Sequence, residues 1–433
     1  MQRGIAWLSV VMLAGFIAGC AKPANPGAGE PGAAVASEKR DPVTISFSNG
    51  FLTDEDFDRY ITQPVQKKYP WITIQKSNGK GLTERVGAGD TPDIVVHHNI
   101  GGMQTYLDLN LTYPLTEMIK KHRMDLNRFE PEALDAVKAA TQMDELVGLP
   151  YTRHFSALYY NKDIFDKFAV PYPKDGITWD EAYELAKKLT RMEGGVQYRG
   201  LEPNVTERPA SQLSLPYVDP TTKKALVNTE SWKKVLGFMA KIRQIPGNDQ
   251  ITYHGGANDV FVKEQRLAML ASNNILFEGN LYKYPDFNWD MVTYPTWPEA
   301  PGIALRNDQH MMSIAGTSKH KDEAFLVIAT VTSDEVQMSI SRQGKLSILK
   351  DQSIRDAFGA DLDFAKGKNL QAIYKTKPAK SFVPTKYDSI GMGAINDALK
   401  DVVSGGKDLN TVLREAEEKI NLKIAEKEGG SAK

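Results

Sequence analysis

The sequence predicts a layered α/β protein of more than one lobe, and three observations carry that expectation. Strand-like and helix-like segments alternate from residue 43 onward. One of the strands, "PDIVV", is a short continuous apolar run, the pattern of a strand covered on both faces. The 433 residues exceed what one hydrophobic core holds, since cores stop growing near ~250 to 300 residues. Strand, helix, strand order then implies parallel crossovers with helices laid over the sheet.

The first element is not part of that fold. "MQRG" supplies a positive charge, "IAWLSVVMLAGFIAG" an apolar run, and Ala18 and Gly19 stand before Cys20, the only cysteine in the chain. The order and length are those of a secretory signal over residues 1–19 rather than a membrane span. "IAGC" resembles the bacterial lipobox, which implies cleavage before Cys20, acylation of its thiol, and a lipid anchor on the outer side of the cell membrane. Residues 20–42 are dominated by Ala, Pro and Gly and have no apolar periodicity, so they are expected to be a disordered tether.

Folding is expected to begin at Val43. "VTISFS" alternates Val43, Ile45 and Phe47 on one face, "WITIQ" follows a proline, and both read as strands on either side of a helix in "DEDFDRYITQPVQKKY". After "PDIVV", "GLPY" and "SALYYN" read as strands. "TWDEAYELAKKLTRM" opens with Thr178 three residues before Glu181, a capping-box spacing, and carries Ala182, Leu185, Ala186 and Leu189 on one face. "RLAML" and "WDMVTY" read as strands, "KDEAFLVIATVTS" as a buried helix, and the end of the chain as an amphipathic helix with Leu413, Ala416, Ile420 and Ile424 on its apolar stripe. No internal repeat appears.

Composition removes several function classes. A formal net charge of -1 leaves no basic excess for a phosphate backbone, so no nucleic acid is expected as partner. One cysteine allows neither an internal disulfide nor a thiolate cluster. No G-x-S-x-G, H-E-x-x-H or P-loop is present, and no strand-end pair of carboxylates stands out for glycoside hydrolysis, so binding rather than catalysis is expected and no cofactor.

"GDTPDIV", "LYYNKDIFDKFAVPYPKDGITWDEAYELAKKLT", "VFVKEQRLAML" and "DALKDVVSGGKDLNTVLREAEEKIN" occur in the order found in family 1 extracellular solute-binding proteins, the capture subunits of ABC importers and relatives of maltose-binding protein. The resemblance spans nearly the whole chain after the tether. It implies a two-lobed periplasmic-binding-protein-like fold with a three-crossing hinge and a ligand cleft between the lobes. It implies crossings near Tyr151 to Phe155, Val292 to Pro295 and Arg342 to Leu346. Lobe one would hold 43–151 plus 296–343, and lobe two 152–295 plus 344–433. It further implies a monomeric binder of an oligosaccharide that docks on ABC permease subunits.

Open α/β sheets bind ligands beyond the carboxyl ends of their strands. "PDIVV" runs into His97, His98 and Asn99, and the family often contacts ligand there. With no carboxylate or third histidine at ligand spacing, no metal is expected at that pair. Arg153 and His154 in "YTRHFS" read either as ligand contacts or as salt-bridge partners across the hinge. Sugar-binding relatives commonly carry a tryptophan in the segment that here reads "SNNILF", leaving Asn273, Asn274 and Phe277. Trp297 and Tyr387 are the alternative stacking surfaces, or ordinary packing. "LRNDQH" offers Arg306, Asn307, Asp308, Gln309 and His310 to hydroxyls. Arg153 and Arg208 would suit a carboxylate, which points to a uronate-containing oligosaccharide. Ferric ion, phosphate and polyamine are the rival solutes. Ferric binding would use the adjacent Tyr159 and Tyr160, whose side chains should point to opposite faces of their strand.

Overall fold

The computed structural model describes residues 40–99, 103–249, 255–278 and 280–430. The expected signal, Cys20 and nearly all of the tether lie outside the described residues. None of the described helices is long and apolar enough to cross a membrane.

Twelve strands carry the fold. They are β1 (Val43–Asn49), β2 (Ile72–Asn78), β3 (Ile94–His98), β4 (Leu149–Arg153), β5 (Ser156–Asn161), β6 (Arg191–Glu193), β7 (Val196–Glu202), β8 (Leu267–Asn273), β9 (Trp289–Thr293), β10 (Ile303–Arg306), β11 (Gln309–Ile314) and β12 (Lys377–Ala379). The first sheet has the order β2-β1-β3-β11-β4, and the second the order β6-β7-β8-β5-β9. In the first, β1 runs parallel to β2 and β3, as the strand, helix, strand reading requires. Only β11 is reversed, antiparallel to both of its neighbours.

Each sheet owns its core. Ile45, Phe47, Ile94, Val96, Leu149 and Tyr151 pack with Phe325 and Ile328 of the helix Lys321–Val331, the apolar helix read from "KDEAFLVIATVTS". Within β5 the pleat divides the side chains: Leu158 and Tyr160 enter one core of the second lobe, Ala157 and Tyr159 the other. The two tyrosines therefore cannot meet at one ion. Helix Trp179–Leu189 starts at Thr178 with the reciprocal capping bonds to Glu181. It lies so close to β7 that a Cβ on Gly200 would stand 2.2 Å from the Ala186 carbonyl oxygen. The last helix, Leu409–Gly430, buries Leu413, Ala416, Ile420 and Ile424 in the same core.

Two crossings fall elsewhere than expected. The first of the three crossings, which is not one of these two, is at His154 and Phe155, between β4 and β5. Beyond β9, however, the chain stays with the second lobe: Thr296 bridges to Thr178, Trp297 and Ala304 pack in its core, and β10 pairs with β12. The return to the first sheet is at Asn307 and Asp308, because Trp297 anchors the segment before them. Leu346 touches the second lobe, but Ile348, Leu349 and Ile354 fold back into the first core before Phe358 and Leu362 rejoin the second. Apolar side chains thus move the last crossing to 355–357.

Candidate functional site between the lobes

The hinge is a hydrogen-bonded ribbon. Arg153 N–H donates to the Leu346 carbonyl at 3.0 Å, and His154 N–H donates to the Asp308 carbonyl at 2.7 Å. Thr152 Oγ1 donates to the same Leu346 carbonyl at 3.1 Å. Side chains leaving this ribbon meet residues from both lobes around a cavity of about 340 Å³. The first lobe supplies Glu130 and Glu132, and the second supplies Ser156, Val205, Glu207, Arg208, Asn273 and Tyr374.

Its charges are organised in pairs. Arg153 is buried, donates from Nε to the Ser347 carbonyl at 3.1 Å, and stands with Nη2 3.3 Å from Glu130 Oε1. Arg355 closes on the same carboxylate oxygen. Arg306 donates to Glu207 Oε1 at 2.6 Å and lies over the ring of Phe382. Arg208 donates to Ser272 Oγ at 2.8 Å.

Next to the cavity lies a histidine cluster. His98 leaves the end of β3, His154 sits in the first crossing and His310 starts β11, and their ring nitrogens come within 4.8 Å of one another. Asp308 lies among them, with Oδ1 3.4 Å from His98 Nδ1 and Oδ2 3.7 Å from His154 Nδ1. Burial acts to raise the Asp308 pKa, but the three imidazoles outweigh it and hold the carboxyl well below its ordinary range. Burial, then the neighbouring His154 and His98, pull His310 well below the usual histidine value.

Of the residues singled out in the sequence, Arg153, His154, Arg208, Asn273, Arg306, Asn307 and Asp308 line the cavity. Others are placed by packing instead. His97 is 0% exposed, bonded through Nε2 to Ser313 Oγ at 2.8 Å and stacked on Tyr106, and burial drives its pKa down to about 4. Asn99 accepts from Gln309 N–H and donates to the Asn307 carbonyl, tying β3 to the second crossing. Gln309 is itself buried, donating to the Ala133 carbonyl. Asn274 accepts from Leu276 N–H at the start of the helix Ile275–Glu278, and Phe277 lies under the Lys345 ammonium.

The two proposed stacking platforms do not face the cavity. Trp297 is 3% exposed, donates to the Pro209 carbonyl and packs edge-on against Phe238. Tyr387 is 3% exposed and bonded to Glu428. Both rings pack in the core of the second lobe, with the Trp297 N–H bonded inside it and the Tyr387 hydroxyl bonded at its surface. Arg153 follows the salt-bridge reading, with Glu130 as its partner. Sequence reasoning passed over Glu130, Glu132, Glu207, Arg355 and Tyr374. Only Glu207 had a signal, since it adjoins Arg208 in "TERPAS".

A family model described as bacterial extracellular solute-binding protein matches residues 54–338. No curated protein matches the sequence. An ABC substrate-binding protein of Listeria monocytogenes solved with cycloalternan is 20% identical, covers 89% of this chain and 100% of its own, and has a TM-score of 0.71. A cyclic alpha-maltosyl-1,6-maltose binding protein of Arthrobacter globiformis is 13% identical over 88% of this chain and 98% of its own, at a TM-score of 0.68. UgpB of Mycobacterium tuberculosis, in complex with glycerophosphocholine, is 17% identical over 89% of this chain and 99% of its own, at 0.69.

Proposed function

The chain belongs to the bacterial extracellular solute-binding proteins, and from that premise we propose that it captures an oligosaccharide outside the cytoplasm for an ABC importer. The observation that carries the reading is the cavity at the hinge, lined by polar groups of both lobes. A solute touching Glu132 on one side and Arg208 or Asn273 on the other gains contacts only when the lobes approach. It therefore stabilises the closed state by its differential affinity, and closure presents a surface to the permease subunits. Chemistry is not needed for this work, and no covalent step is assigned to the protein.

Of the similar folds, one was solved with cycloalternan and another is a cyclic alpha-maltosyl-1,6-maltose binding protein, which supports the carbohydrate class. Within it, Arg208 and Arg306 favour an acidic sugar. Arg306 already pairs with Glu207, so a uronate carboxylate would compete for a guanidinium held in place. Tyr374 and Phe155 supply apolar surface for a ring. The protein is assigned as a monomer held at the membrane by lipid on Cys20, with residues 20–42 as its tether. One acyl chain binds membranes marginally and two bind stably, as the diacylglyceryl group implied by the lipobox would.

A thermal-shift screen of neutral and uronic oligosaccharides, with inorganic phosphate and glycerophosphodiesters as separate arms, tests the class, since a ligand of the native state raises its stability by mass action. The expected result is a shift with a glycan. A shift with phosphate esters alone would replace the sugar reading. Equal affinity for a uronic oligomer and its reduced neutral counterpart would remove the acidic part.

A further inference from the structure

We propose that His98, His154, His310 and Asp308 form a binding site for one divalent transition cation of the zinc class at the base of the hinge. Among the described residues His98, His154 and His310 are the one group of three metal-ligating side chains whose donor atoms converge, and the Asp308 carboxylate approaches two of them. The chemistry of the set is that of a borderline cation: imidazole nitrogens with one carboxylate oxygen, and no thiolate.

The geometry leaves room for an ion and a reason for one. His154 Nδ1 and Asp308 Oδ1 are both buried without a hydrogen-bond partner, an arrangement that native proteins rarely leave. The carboxylate approaches His98 and His154 at 3.4 and 3.7 Å, too far for a good hydrogen bond and close enough to share a coordinated ion. Zinc–nitrogen bonds of about 2.0 to 2.1 Å place tetrahedral donors roughly 3.4 Å apart. Nitrogens within 4.8 Å of one another reach that by modest rotation of three rings. An apolar cover already exists, since the Phe51 ring stacks on His310 at 4.7 Å and meets His98 edge-on at 4.5 Å while remaining 42% exposed.

The donors come from three separate segments: the end of β3, the first crossing and the second crossing with β11. An ion there would tie both crossings to the first lobe. The inference does not depend on which solute the cavity takes, because the ion's ligands are named without it.

The test uses the chain from residue 21, stripped with chelator and titrated with Co2+ and then Zn2+. The expected result is one equivalent of Co2+ with visible absorption of four-coordinate intensity, displaced by one equivalent of Zn2+. His154→Ala and His310→Ala should each weaken binding at least a hundredfold, whereas His122→Gln should leave it unchanged. Absence of stoichiometric binding, or Co2+ spectra unaltered in both variants, overturns the proposal. Should either variant fold poorly, histidine ring NMR of the unsubstituted protein decides. The imidazoles of His98, His154 and His310 should shift with one equivalent of Zn2+, and shifts confined to the other four histidines overturn it.

Discussion

Two glutamates in this molecule are each held by two arginines, and their surroundings could hardly differ more. Glu202 is sealed inside the second lobe, where Arg199 Nη2 and Arg243 Nη1 both donate to its Oε2 at 2.8 Å. All three residues are at most 3% exposed. Glu130 sits at the hinge, shared between Arg153, which is buried, and Arg355, whose side chain is 31% exposed at the cavity. The first carboxylate has both arginines inside one lobe. The second lies beside the crossings between the two lobes. Buried ion pairs cost about as much to desolvate as they return, so their use lies in what breaks when one partner is removed.

Glu202→Ala is expected to give the largest effect, about 3 to 5 kcal/mol lost, because two guanidinium groups would be left buried without their carboxylate. Urea unfolding measures it, and a loss below about 1 kcal/mol would erase the contrast with the hinge. Trp297→Ala should cost a similar or slightly smaller amount, about 3 to 5 kcal/mol, by opening a cavity in the same lobe. Ligand affinity should remain within about twofold. A tenfold loss of affinity would return Trp297 to the cleft.

At the hinge the effects shrink. Arg153→Ala should cost about 1.5 to 3 kcal/mol, the range for hydrogen bonds to charged groups. Arg355→Ala should cost under about 1 kcal/mol, since solvent screens its half of the pair. Equal losses would mean that the hinge pair is as closed to water as the one in the lobe.

The smallest effect is expected at Asp175, on the rim of the second lobe. Burial would raise its pKa, but Lys375, the Thr293 N–H and Asn369 prevail and lower it. A carboxyl depressed on folding adds stability above its unfolded pKa of about 4 and loses it as pH falls through the folded value. Asp175→Asn should therefore lower stability at neutral pH and cost progressively less as pH falls below about 4, which flattens the acid side of the stability profile. A loss of equal size at pH 7 and pH 3 would contradict this.

Local chemistry made much of the fold legible. The pleat of "SALYYN", the capping box at Thr178 and the stripe on the last helix all follow from spacing within a few residues, and each appears as read. The lobe boundaries after the first crossing were less legible. Trp297 and Ile348 decide them through contacts with residues far away in the chain, and no local pattern says which of two apolar cores a side chain joins. The cavity was legible where polar residues end strands, as at Arg153, His154 and Asn273. It was not where a helix start brings Glu130 under an arginine. The histidine cluster shows the same limit. His97 and His98 look like a pair in sequence, yet the pleat turns His97 into the core and gives His98 two partners distant in the chain, His154 in the first crossing and His310 on β11.

The bonds joining Leu346, Arg153, His154 and Asp308 make three backbone segments into one narrow pleated plate. Such a plate resists shear within its plane, because sliding one segment past another breaks hydrogen bonds, while flexing out of plane only adjusts torsions. The lobes should therefore travel along a single angular coordinate, and probe pairs attached at different points across the cleft should report the same opening angle.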